Sequence, residues 1–293
     1  MMKDIKVLIM SVGPFETNWT AHYIDQIGGR ENIIVCLPKQ FEQNAESYTN
    51  REIQVYIYDE KKYINDDFEF FGFKPRNCGG VGRQGIAEAV EKFADDNTII
   101  LELDDDTAQM TVRVLQDDGS YKGGKIRTWE DFKKLVNAEQ DFYEATGVEL
   151  ACQTGASVPK NNFITNRKIF NNFIMHKGNP WNFKGFAALC SDDQRFNIYN
   201  NIINRHPMVS HSYGGISFHQ NQGDRKDGNA PLYNSDYSWK KSYALKMMMP
   251  AHIEQRFVDE TNRRLFRENY RAEGLFPPIC LENKDGEIVG RIA

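Results

Sequence analysis

The chain has 293 residues, 40% hydrophobic and 26% charged, a globular balance that excludes a disordered or fibrous protein and is enough for one large domain or two small ones. A formal net charge of −5 gives no basic footprint for non-specific nucleic-acid binding, while 19 Phe, 13 Tyr and 4 Trp supply rings for a core or for stacking on a planar ligand. The five cysteines (Cys36, Cys78, Cys152, Cys190 and Cys280) are odd in number and far apart, with no Cys-x-x-Cys, so neither a disulfide framework nor a zinc knuckle is indicated. The charged opening, residues 1–10, reads as neither signal peptide nor membrane span, and a cytoplasmic location with no membrane partner is expected.

In chain order, apolar runs of strand length come at residues 7–10, 33–37, 53–58 and 99–103, with helical patterns at 19–27 and 86–94. The second helix puts Ile86, Ala87, Val90, Phe93 and Ala94 on one face and Glu88, Glu91 and Lys92 on the other. Strands alternating with helices predict a parallel, doubly wound sheet, whose ligands bind at the carboxyl ends of the strands. Ser11-Val12-Gly13-Pro14, Asp59 and the run Asp104-Asp105-Asp106 all stand at such ends. Asn18-Trp19-Thr20 matches a glycosylation sequon, which has no meaning in a protein that is not secreted.

Further on, Asp117-Asp118-Gly119-Ser120 reads as a hairpin turn between residues 110–115 and 125–127. Residues 129–146 read as a helix capped by Thr128, residues 148–152 as a strand and 194–204 as a helix, while 163–173 fit either type. Residues 212–238, rich in Gly, Asn, Asp and Ser, are expected to form an active-site lid. A helix is expected over 251–272, with Ile253, Phe257, Leu265 and Phe266 inward and its arginines balanced by acids in a solvated, ion-paired face. Residues 279–292 read as a hairpin turning at Asp285-Gly286. The expected division is a catalytic domain over 1–250 and a helix-and-hairpin extension over 251–293.

The most informative segment is Thr98-Ile99-Ile100-Leu101-Glu102-Leu103-Asp104-Asp105-Asp106-Thr107. An apolar strand there ends in three carboxylates, and like charges packed together repel unless a cation neutralises them. Mg²⁺ and Mn²⁺ take hard oxygen ligands and commonly carry nucleotide phosphates, so Asp104 and Asp106 form a candidate Asp-x-Asp anchor for a metal and a diphosphate. An acidic turn capping the next element is the simpler alternative. The phosphatase pattern Asp-x-Asp-x-Thr/Val fails, because position 108 is Ala108.

Gly80, Gly82 and Gly85 spell G-x-G-x-x-G, followed by a helix, a strand and an acid about twenty residues on, which is the dinucleotide fingerprint of an NAD(P)-dependent oxidoreductase. That fingerprint needs a buried strand running straight into the first glycine. Lys74-Pro75-Arg76-Asn77-Cys78 intervenes here, and proline is rare in central strands. The other reading has Arg83 hold a diphosphate or ribose oxygen while the glycines allow close backbone approach. Downstream, Asp192-Asp193 precedes the helical pattern at 194–204, as a cap or as a general base for an acceptor hydroxyl. His211 and His219 flank the next segment as candidate imidazole ligands or structural histidines.

In this order the parts resemble the GT-A-type glycosyltransferases over roughly residues 5–220. The resemblance implies a GT-A-like, Rossmann-type α/β fold with a mainly parallel sheet flanked by helices. It implies a Mn²⁺ or Mg²⁺ held by Asp104 and Asp106 with His219 or His211, and Arg83 beside the diphosphate of a nucleoside-diphosphate sugar, UDP-sugar foremost. Asp59 would lie toward the base, with Ser11 and Gly13 lining the nucleotide site, and Asp193 with Asp192 would serve as the base of an inverting transfer. Asp192 stands where the family usually has Glu, and the acidic run is triple. Nucleotidyl transfer to a sugar phosphate is a related alternative, but it wants a glycine-rich, lysine-containing loop after the first strand, which residues 11–14 lack. The acceptor is open among a glycan, a small molecule and a hydroxylated DNA base of the base-J type. Trp239, Lys240, Lys241, Tyr243 and Lys246 form a small basic–aromatic patch compatible with the last.

Overall fold

The structure, a computed structural model, describes residues 4–64, 79–95, 97–115, 118, 121–146, 150–153, 173–176, 208–211, 214–218, 247, 253–257, 266–270, 279–282 and 288–292. The first four long strands are β1 (Asp4–Met10), β2 (Ile33–Pro38), β3 (Gln54–Tyr58) and β4 (Thr98–Asp104). They are mutually parallel in the spatial order β3-β2-β1-β4. Continuous apolar runs are what a parallel sheet covered on both faces requires, and all six residues of β2 are buried. The register sets Met10 opposite both Cys36 and Asp104, so the carboxyl ends of β1, β2 and β4 are level.

The two faces of this sheet differ in chemistry, as the two-residue period of a strand dictates. Val7, Ile9, Ile33, Val35, Leu37, Ile99, Leu101 and Leu103 point into the main core. There they meet Ala21, Tyr23 and Ile24 of α1 (Trp19–Gln26) and Tyr48 of the short α2 (Ala45–Thr49). The opposite face is covered by α3 (Gly79–Phe93), which packs on Met10 of β1 and Tyr58 of β3. A Cβ at Gly82 would stand 1.9 Å from Met10 Sδ, and one at Gly85 2.4 Å from the Tyr58 ring. The glycines therefore let the helix lie close on the sheet.

Beyond β4 the acidic run turns the chain into β5 (Thr107–Leu115), which pairs antiparallel with β6 (Tyr121–Lys125) in a second sheet, the expected hairpin. Helix α4 (Trp129–Thr146) follows with its expected cap, since the Asp131 N–H donates to Thr128 Oγ1 at 3.1 Å, and its Phe132, Leu135 and Val136 join the main core. Strands β7 (Leu150–Gln153), β8 (Phe173–His176) and β9 (Met208–His211) extend the first sheet past β4 to seven strands. β8 is antiparallel to β4 and β7, and β9 is parallel to β7, so the sheet is mixed but mainly parallel. The fold is the expected Rossmann-like α/β class.

Three expectations are corrected. Part of the loop expected over 212–238 is a strand, β10 (Gly214–Phe218), which completes the second sheet by pairing antiparallel with β5. The helix expected over 251–272 is replaced by two antiparallel strands, β11 (Ile253–Phe257) and β12 (Phe266–Tyr270). Their register sets Ile253 opposite Tyr270 and Phe257 opposite Phe266, pairs of β-branched and aromatic types that favour a ladder over a helix. Helix α3, expected from residue 86, begins at Gly79 and contains the whole glycine cluster. The expected tail hairpin forms from β13 (Ile279–Glu282) and β14 (Ile288–Ile292).

Candidate active site

The chain winds from β1 outward to β2 and β3, then returns through α3 to place β4 on the other side of β1. Adjacent strands whose connections leave in opposite directions open a crevice at their carboxyl ends, and open α/β sheets bind ligands there. In this chain the crevice lies between β1 and β4. Residues 11–14 form one lip, and Asp104, Asp105 and Asp106 form the other.

The backbone of both lips is fixed by α1 and α2. Asn18 caps α1, its Oδ1 accepting from the Ala21 N–H at 2.8 Å. Its Nδ2 donates to Tyr48 Oη at 3.1 Å, and Tyr48 Oη donates to the Gly13 carbonyl at 2.9 Å. Asn44 Nδ2 donates to the Val12 carbonyl at 2.8 Å. On the other lip, Thr20 Oγ1 donates to the Asp104 carbonyl and accepts from the Thr107 N–H at 2.9 Å, while its N–H reaches the Asp105 carbonyl at 3.4 Å. The sequon at residues 18–20 is thus a buried helix start, with Asn18 and Thr20 wholly inaccessible.

The three carboxylates diverge, because consecutive residues at a strand end face opposite ways. Asp104 lies on the α3 side and takes a 2.7 Å hydrogen bond from Arg83 Nη2 on its Oδ1. Asp105 lies on the α1 side and accepts from Ser11 Oγ at 2.9 Å. Ser11 Oγ in turn accepts from the Gly13 N–H at 3.3 Å, tying the two lips together. Asp106 is half-buried at the turn into β5.

Arg83 is 3% exposed, and its other terminal nitrogen, Nη1, bonds the carboxylate of Glu102, a β4 residue with no exposure at all. The Glu102 charge is felt at Cys36 on β2, whose thiol is pushed up first by burial and then by that carboxylate. Removing one half of so buried a pair leaves an uncompensated charge and costs about 3–5 kcal/mol.

Of the site residues expected from sequence, the fold brings Ser11, Gly13, Arg83, Asp104 and Asp106 to one crevice. Asp59 stands at the end of β3, three strand spacings or about 14 Å along the same edge. There its carboxylate caps a short 3₁₀ turn by accepting from the Lys61 N–H at 3.1 Å. His211 ends β9, two strands beyond β8 in the same sheet. Asp192, Asp193 and His219, the helix expected at 194–204, the remainder of 212–238 outside β10 and the patch around Trp239 lie outside the described residues. The dinucleotide reading of Gly80, Gly82 and Gly85 does not fit, because these glycines sit inside α3, with Gly82 and Gly85 against the sheet, instead of forming a strand-to-helix turn.

Sequence reasoning passed over Glu102, Asn18 and Thr20. A Glu inside an otherwise apolar, buried run was the available signal, because a charge there demands a buried partner.

The donor set fits a hard divalent ion. Among the described residues no three His, Cys, Asp or Glu side chains converge as a complete cage. Magnesium-type ions, however, are commonly held by one or two carboxylates with the substrate's phosphates supplying the rest. Asp104 and Asp106 are the carboxylates at this edge that could meet that smaller requirement.

No family model and no curated protein matches the chain. Among solved structures it is similar to glucosyl-3-phosphoglycerate synthase from Mycobacterium tuberculosis in complex with Mn²⁺, UDP and phosphoglyceric acid, at 9% identity over 94% of this chain and 88% of that one, TM-score 0.47. It is also similar to S. aureus TarS 1–349, at 12% identity over 86% and 67% of the two chains, TM-score 0.37. A third is CMP:2-keto-3-deoxy-manno-octonic acid synthetase complexed with CTP, at 9% identity over 71% and 89%, TM-score 0.39. Scores this low assign no activity to the chain. Among the described residues no helix is long and apolar enough to cross a membrane.

Proposed function

We propose that the chain is a GT-A-like, metal-dependent glycosyltransferase that moves a sugar from a nucleoside-diphosphate donor, foremost a UDP-sugar, to an acceptor hydroxyl. The observation that carries this reading is the acidic run at the crevice between β1 and β4, held on a backbone that α1 stitches in place. Asp104 and Asp106 would hold the metal, with His219 as a further ligand; His211, three strand spacings from β4, stands too far along the sheet to share it. The metal would supply positive charge to the leaving diphosphate. The edge from Asp104 to Asp59 would carry the nucleotide lengthwise, its phosphates by the acidic run and its base toward β3. Asp193, or Asp192, would take the proton of the acceptor hydroxyl as its oxygen bonds the sugar carbon and the bond to diphosphate breaks, inverting that carbon. Residues following β10 would cover the donor. Nucleotidyl transfer is disfavoured because residues 11–14 contain no lysine.

Titration calorimetry against UDP, GDP, CDP and NAD, each with Mn²⁺ and then with EDTA, tests the reading. We expect one nucleoside diphosphate to bind only with metal, and Asp106→Asn to abolish that binding with unchanged thermal unfolding. Metal-independent binding, or full binding by Asp106→Asn, would overturn the metal assignment.

A further inference from the structure

We propose that Glu102 and Arg83 are a buried positioning pair that fixes the Asp104 carboxylate for a divalent cation. The inference rests on the metal reading above.

Glu102 is out of place by every packing criterion. Its partners in register are Leu8 on β1 and Ile174 on β8, and Leu8 and Glu102 are both buried. An apolar residue would serve the sheet as well, since a buried ion pair is weak as a source of stability. The pair must therefore be explained by what else Arg83 touches. Glu102 and Asp104 are two residues apart on one strand, on the same face and about 7 Å from each other. A guanidinium is a rigid planar fork, and Arg83 spends one prong on each carboxylate, Nη1 inward on Glu102 and Nη2 outward on Asp104 Oδ1. The inner bond fixes the plane of the fork, and the fork fixes Asp104, whose side chain keeps 24% exposure at the crevice.

The charges explain why the inner partner is an acid. Arg83 alone beside Asp104 would cancel the charge that draws a cation. With Glu102 the guanidinium has a second carboxylate to meet its charge, so Asp104 does not meet it alone. Arg83 is on this account a positioning residue.

The test uses the full chain and Mn²⁺ titrated calorimetrically in the presence of UDP, with thermal unfolding recorded for each protein. Glu102→Gln removes the inner carboxylate and leaves the guanidinium charge on Asp104, and Mn²⁺ affinity is expected to fall about tenfold, the usual scale for a partner of a ligating carboxylate. The double variant Arg83→Met/Glu102→Met removes both buried charges and is expected to stay folded. It is also expected to bind Mn²⁺ more weakly than the wild type, because Arg83 no longer orients Asp104. A folded double variant with wild-type affinity would reduce the pair to a cross-link between α3 and β4 and overturn the proposal. Failure of the double variant to fold would make the pair a requirement of the fold and overturn it too. A wild-type protein that binds no Mn²⁺ with UDP would instead overturn the metal reading itself, and the positioning role with it.

Discussion

Gly85 and Gly124 are a matched pair of residues for asking what a missing side chain does. A Cβ at Gly85 would lie within 2.4–2.7 Å of three atoms of the Tyr58 ring, which is itself buried, whereas one at Gly124 meets nothing within 4 Å. Gly85→Ala is therefore expected to destabilise by about 1–3 kcal/mol, the usual penalty for overpacking. Gly124→Ala should stay within about 0.5 kcal/mol, as surface changes do, and urea unfolding of both measures the contrast. Tyr23 and Tyr48 carry a second prediction. Burial raises both phenols from 10.0 to about 12. The folded state then holds a proton that the unfolded chain has released, so this contribution is full below pH 10.0 and is lost as pH rises toward about 12. Unfolding free energy measured across that window should fall with pH in the wild type, and fall less steeply in Tyr23→Phe.

Among the elements, α1 does more than its eight residues suggest. Its cap Asn18 and first-turn Thr20 hold opposite lips of the crevice, one through Tyr48 to Gly13 and the other directly on Asp104 and Thr107. Asn18→Ala removes the cap and the amide that orients Tyr48, with an expected loss of about 1–2 kcal/mol in denaturant unfolding. A loss under half a kilocalorie would mean that the cap is dispensable. Helix α1 itself was legible from its pattern. The β11–β12 ladder was not, because Ile253, Phe257, Leu265 and Phe266 satisfy a helical spacing as well as they satisfy two short strands, and pairing partners nine to seventeen residues apart are invisible to local periodicity.

For the molecule as a whole, the parallel core and the acidic run at its carboxyl edge follow from sequence. Unbroken apolar runs need a sheet covered on both sides, and a ligand-facing carboxylate belongs where such a strand ends. The hairpins at β5–β6 and β13–β14 were equally readable from their turn residues and apolar flanks. Which strand lies beside which was not. The order β3-β2-β1-β4 makes the β1 loop and the acidic run face each other, and that adjacency arises from where α3 carries the chain. Only tertiary structure could show that Gly82 and Gly85 serve Met10 and Tyr58, or that Arg83 reaches inward to Glu102. Sequence determined the chemistry available at each strand end, because burial and periodicity are local. The fold decided which of those groups meet, because a contact across strands, as between Arg83 and Asp104 twenty-one residues on, depends on the path of the chain between them.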